Sequence, residues 1–125
     1  MVIYFRQKRS EAIKRRFAQL QPGEAAISVI AYGELLYGAM KSSHPASAIE
    51  SLHNLIQELS PLPLPESAGE TYGFIRADLA ARGEIIGNNN LWIAAHALAA
   101  ELTLVTNNEK EFRRVSGLKT QNWAT

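Results

Sequence analysis

A chain of 125 residues with 46% hydrophobic content has the length of one domain, enough to bury a core without a disulfide or a structural metal. The absence of cysteine excludes a disulfide framework, a thiolate nucleophile and a Cys-ligated zinc site, and suits the reducing cytosol. The net charge is +1 and no apolar run approaches the roughly 18 residues of a membrane span, so a single cytoplasmic domain over 1–125, with no membrane partner, is expected.

Met1-Val2-Ile3-Tyr4-Phe5 reaches a charge at Arg6, too soon for a secretion signal. Arg6, Lys8, Arg9, Lys14, Arg15 and Arg16 follow, with Glu11 the only acid among them. Such a cluster can neutralise phosphates, which makes RNA a candidate partner. A solvated helix face accounts for it equally well. Ser10 with Ile13, Phe17 and Leu20 predicts a capped amphipathic helix that stops at Pro22-Gly23.

Ala25 to Ile30 is a short apolar run, as expected for a strand buried on both faces of a parallel sheet. The period then becomes helical from Ala31 to about Ser42, and a second helix, Ala46 to Leu59, completes a hairpin. Pro61, Pro63 and Pro65 permit at most a short edge strand. Helical pattern runs again from Glu66 to Arg82 and stops at Gly83. Asn88-Asn89-Asn90 opens a helix to about Glu101, Leu102 to Thr106 is the clearest strand, and a short helix (Glu109 to Arg114) and a last strand (Leu118 to Asn122) follow. Strands alternating with helices predict an α/β fold, a parallel sheet of four to five strands flanked by helices, with its site at the carboxyl ends of the strands.

Three places at those ends carry polar side chains. Glu34 follows the first buried strand and is expected in the opening turn of a helix, where the dipole favours a carboxylate with or without function. Asn88, Asn89 and Asn90 could supply a helix cap; a cap needs one asparagine, so a second role stays open. Thr106, Asn107 and Asn108 form either a polar turn or hydrogen-bonding groups of a site. His44, His53 and His96 make no ligand set, and a structural role is expected for His96. Trp92 and Trp123 could stack on bases but suit packing as well.

Ala26-Ile27-Ser28, Tyr32-Gly33-Glu34-Leu35-Leu36-Tyr37-Gly38-Ala39, Ile86-Gly87-Asn88-Asn89-Asn90-Leu91-Trp92-Ile93-Ala94-Ala95-His96-Ala97, Leu104-Val105-Thr106-Asn107-Asn108 and Glu111-Phe112 together resemble the VapC toxins of the PIN-domain family, in order and spacing, over essentially the whole chain. The resemblance implies a PIN-like fold and a toxin of a type II toxin–antitoxin pair: an endoribonuclease using Mg2+ or Mn2+ on tRNA or rRNA. It also implies a VapB-type antitoxin as partner, and a homodimer or a hetero-oligomer with that antitoxin. In such enzymes clustered carboxylates hold ions that activate water.

Carried over by motif, Glu34 is the family's glutamate and an expected catalytic and metal residue. Asn90 stands where the family's Gly-x-x-Asp-Leu pattern has a metal-binding aspartate. Thr106 and Asn108 match the polar turn after the fourth strand, and with Asn90, itself an expected metal residue, they complete the expected catalytic set. The family's opening strand ends in Leu-Asp-Thr-Asn, and its aspartate is the first ligand. Met1 to Phe5 resembles instead the helix after that motif, so a gap in the middle of the sheet, with exposed apolar edges, is expected. Asp78 is the only aspartate in the chain. With two carboxylates missing, weakened metal binding and strongly impaired cleavage are expected; the alternatives are a catalytically dead antitoxin-binding module and an RNA-binding module using the basic cluster.

Overall fold

The computed structural model describes residues 2–4, 15–16, 18–21 and 23–123. Five short strands, β1 (Val2–Tyr4), β2 (Ile27–Ser28), β3 (Pro61–Leu62), β4 (Leu104–Thr106) and β5 (Thr120–Gln121), alternate with helices α1 (Val29–Met40), α2 (Pro45–Glu58), α3 (Ser67–Ala81), α4 (Asn88–Ala99) and α5 (Glu109–Phe112). Among the described residues every ladder is parallel. β4 lies between β1 and β5, and β2 pairs with β3. β1 also packs beside β2, so the strands form the expected α/β layer.

The structure corrects the reading of the N-terminus. Val2–Tyr4 is a strand and not the start of a helix, in register with Leu104–Thr106. The reason is local and tertiary together. Val-Ile-Tyr is β-branched and aromatic, which suits a pleated strand, and the backbone of β4 would otherwise leave donors and acceptors unpaired on that side. β1 therefore lies between β4, with which it pairs, and β2, against which it packs, in place of the expected gap. The expected helix from Ser10 to Leu20 falls largely outside the described residues, although Arg15, Arg16 and Ala18 are helical.

β3 takes the edge position that its proline requires. α4 packs most extensively against α3 and runs through the core, where Leu91, Ile93, Ala94, Ala95 and Ala97 are buried together with Leu104, Val105 and Phe112. α3 ends where the sequence predicts. Gly83 adopts φ +68, and the amides of Gly83 and Glu84 return to the carbonyls of Ala80 and Leu79, the hydrogen-bond pair of a helix stop with a left-handed residue. The chain then crosses to Gly87 and delivers the N-terminus of α4 to the carboxyl ends of β2 and β4.

Candidate functional site

Three consecutive asparagines open α4, and none caps it: Gly87 is the N-cap residue and no side-chain cap bond forms. Each side chain instead reaches a different element. The Asn88 Oδ1 accepts from the Tyr72 hydroxyl on α3. Asn89 donates from Nδ2 to Glu34 Oε1 on α1 at 2.9 Å, and Asn90 donates to Glu111 Oε1 on α5 at 3.2 Å. The N-terminus of α4 is thereby tied to α3, α1 and α5.

Glu34 does not lie where the sequence places it. α1 begins at Val29, capped by Ser28, whose Oγ accepts from the Ala31 amide at 3.0 Å. An earlier helix start puts Glu34 beyond the first turn, so the stabilisation expected from the helix N-terminus does not reach it.

Glu111 accepts three hydrogen bonds among the described residues and is the functional candidate that the sequence reading missed. Its Oε1 accepts from the Gly87 amide and from Asn90, both at 3.2 Å, and its Oε2 accepts from Asn108 Nδ2 at 3.1 Å. Asn108 in turn donates its backbone amide to Thr106 Oγ1 at 3.1 Å. Thr106 and Asn90 are fully buried. A signal was present: Asn108-x-x-Glu111 has the spacing at which a helix-opening side chain and the third helical residue meet.

Asn90, Thr106 and Asn108 thus share one cluster with Glu111, while Glu34 joins through Asn89, the neighbour of Asn90. Of the basic cluster only Arg15 and Arg16 can be placed. Both are exposed, and the Arg16 guanidinium lies 5.9 Å from the centroid of the buried Trp123 ring. Arg6, Lys8, Arg9 and Lys14 lie outside the described residues. Asp78 is committed elsewhere, to Arg82 at 2.8 Å. His96 is buried with no partner for Nδ1, and burial pushes its imidazole below the ordinary range.

Magnesium takes hard oxygen ligands in a near-octahedral shell, usually with carboxylates supplying the charge. Both carboxylates here receive amide N–H groups, which turn the positive ends of dipoles toward the oxygens an ion would use. Among the described residues no group of three or more His, Asp or Glu side chains could hold a metal ion. The donor set does not fit a charge-rich ion site. What it does form is a cluster in which amide N–H groups donate to both anionic side chains.

Residues 1–118 match the model of the PIN domain family. The chain is 39% identical to the Ribonuclease VapC2 of Haemophilus influenzae over 123 residues, covering 98% of this chain and 92% of that protein. It is 34% identical to the tRNA(fMet)-specific endonuclease VapC of Shigella flexneri over 122 residues, with the same coverage. Its fold superposes on a chain of the VapBC-1 structure from nontypeable Haemophilus influenzae with a TM-score of 0.86 at 32% identity, covering 100% of both chains.

Proposed function

The chain belongs to the PIN-domain family, on its VapC branch of toxin–antitoxin ribonucleases, and we propose that it is an RNA-binding member whose magnesium-dependent cleavage is strongly reduced. One observation carries this reading. Asn90, buried and at the aspartate position of the family motif, donates a hydrogen bond into Glu111. An aspartate there would set two carboxylates against each other and call for a cation between them. The amide removes one charge and turns an N–H donor toward an oxygen of the other carboxylate, where an ion would otherwise bind. Each such loss commonly costs orders of magnitude in rate, though not additively.

The chain's own residues still do part of the work. Asn89 holds Glu34 toward α4, and Asn108 with the Gly87 amide orients Glu111, so the two remaining carboxylates stay placed at the N-terminus of α4. tRNA is the RNA to test first, given the specificity in the name of the Shigella relative.

The test is calorimetric titration with magnesium beside cleavage of a labelled tRNA pool, comparing the native chain, Asn90→Asp and Glu34→Ala. The expected result is little heat and little cleavage for the native chain, with both rising in Asn90→Asp. Magnesium-dependent cleavage by the native chain well above that of Glu34→Ala overturns the reading.

A second role rests on α1. Tyr37 and Met40 are 66% and 60% exposed on a helix whose sequence is almost wholly apolar. The similar solved structure is a VapBC assembly, and a VapB-type antitoxin segment laid against this face would cover those side chains in the manner of a helix or tail in an apolar groove. Docking of antitoxin needs none of the lost carboxylates.

A further inference from the structure

Beside the amide cluster, and outside it, stands an aromatic pair with a cation. Tyr72 on α3 and Trp92 on α4 stack with ring centroids 3.9 Å apart and planes 15° from parallel, and both are half-buried. The Tyr72 hydroxyl donates to Asn88 and accepts from Arg76 Nη1 at 2.6 Å. The Arg76 guanidinium lies 5.8 Å from the Tyr72 centroid. It is exposed, and among the described residues no carboxylate pairs with it; the ion pairs of α3 belong to Arg82.

Resting on the RNA-binding reading above, we infer that Tyr72, Trp92 and Arg76 form a nucleotide subsite for single-stranded RNA. A base stacks on the aromatic pair and the adjoining phosphate meets Arg76. The chemistry matches both halves of a nucleotide. A half-buried ring pair offers a rigid π-surface that any base can use, and an exposed guanidinium offers forked N–H donors to a phosphate. Its place in the fold gives the subsite a purpose. Asn88, which receives the Tyr72 hydroxyl, is followed directly by Asn89 and Asn90, the residues that hold Glu34 and Glu111, so a nucleotide on the rings sits next to the strand ends. The apolar alternative, a simple staple between α3 and α4, explains the stacking but not an exposed guanidinium held beside the rings with no carboxylate partner among the described residues.

The experiment is fluorescence anisotropy with labelled single-stranded oligoribonucleotides carrying one abasic position, scanned along the strand, on the native chain, Tyr72→Leu, Trp92→Leu and Arg76→Gln. In the native chain one abasic position is expected to weaken binding about tenfold. That position-specific loss should vanish in Tyr72→Leu and Trp92→Leu, and Arg76→Gln should lower the slope of log affinity against log salt by about 0.7 with an unchanged melting temperature. RNA binding in which abasic positions cost the same in the native and ring variants, or in which Arg76→Gln leaves the salt slope unchanged, overturns the subsite and leaves the RNA reading standing. No binding of any oligonucleotide by the native chain overturns both.

Discussion

α1 and α4 are both twelve-residue helices, and they live in opposite surroundings. In α4 seven residues are buried, Asn90 and His96 among them; in α1 only Ala31 is, although its sequence, Val-Ile-Ala-Tyr-Gly-Glu-Leu-Leu-Tyr-Gly-Ala-Met, is the more apolar of the two. Burial here follows position and not composition. α4 packs most extensively against α3 and puts its apolar side chains into the core with Leu104 and Val105, while α1 meets α2, α4, β2 and β3 on its inner side and leaves Tyr37 and Met40 outward. α4 is accordingly the helix that stabilises the fold and aims the site, and α1 is the helix with surface left for a partner.

The sharpest way to break this contrast is truncation. Ile93→Ala removes a side chain with no exposure and should cost about 2–5 kcal/mol by urea denaturation. Tyr37→Ser should stay within about 0.5 kcal/mol yet weaken capture by a VapB-type antitoxin. If Tyr37→Ser destabilises the free chain as much as Ile93→Ala does, α1 is core and the contrast is wrong.

Asn90→Asp probes the buried end of α4 by charge. The new carboxylate cannot donate to Glu111 and faces it from a buried position. Without divalent ions the variant should lose about 3 kcal/mol, in the range for an uncompensated buried charge. Magnesium should restore much of that by binding only the folded state. Melting with EDTA and with magnesium checks this: equal melting temperatures in the two conditions would mean that the added charge builds no ion site.

The contrast between the two helices also explains what could be read from the sequence. The α4 segment was legible because the glycine stop of α3 before it, its polar opening and its strand successor are local signals, and the helix hairpin was legible from its period. The true start of α1 was not, because Val29 and Ile30 continue the apolar run of β2 and only the Ser28 cap marks the change. That shift moved Glu34 out of the first turn. β1 was misread because three residues, Val-Ile-Tyr, adopt the state that the neighbouring strand imposes. Glu111 was quoted for its motif and passed over as a site residue, since its role depends on Asn90 and Gly87, 21 and 24 positions away. The separate partners of Asn88, Asn89 and Asn90 are tertiary facts that no spacing rule contains.

His96 tests the body of α4 through pH. Burial lowers its folded pKa below the ordinary value of about 6.5, so the folded chain resists protonation that the unfolded chain accepts. Stability should therefore be full above about pH 7.5 and fall as the pH drops through 6.5 toward the folded pKa. Thermal melts from pH 8 to pH 5 should show this fall, reduced in His96→Leu, which also removes the unpartnered Nδ1. An identical pH profile in His96→Leu would place the titrating group elsewhere.

The smallest expected effect lies at the helix ends, and its sign should differ between the two. α4 stops with Glu101 at φ +56, the only non-glycine residue with positive φ among those described, while the amides of Glu101 and Leu102 return to Leu98 and Ala97. A left-handed conformation is held there against the preference of an L side chain, because the chain must turn at once from a buried helix into β4. Glu101→Gly should relieve it and raise stability by about 0.5–1 kcal/mol. α1 ends at Lys41 with φ −93, an ordinary conformation that glycine only loosens, and the Lys41 ammonium lies 4.9 Å from the Tyr37 ring centroid. Lys41→Gly should therefore lower stability by about 0.5–1 kcal/mol. Paired denaturation curves decide it: opposite signs mean that the buried helix is held by its surroundings at the cost of local strain, whereas the same sign at both ends would mean that the two termini are under no different constraint.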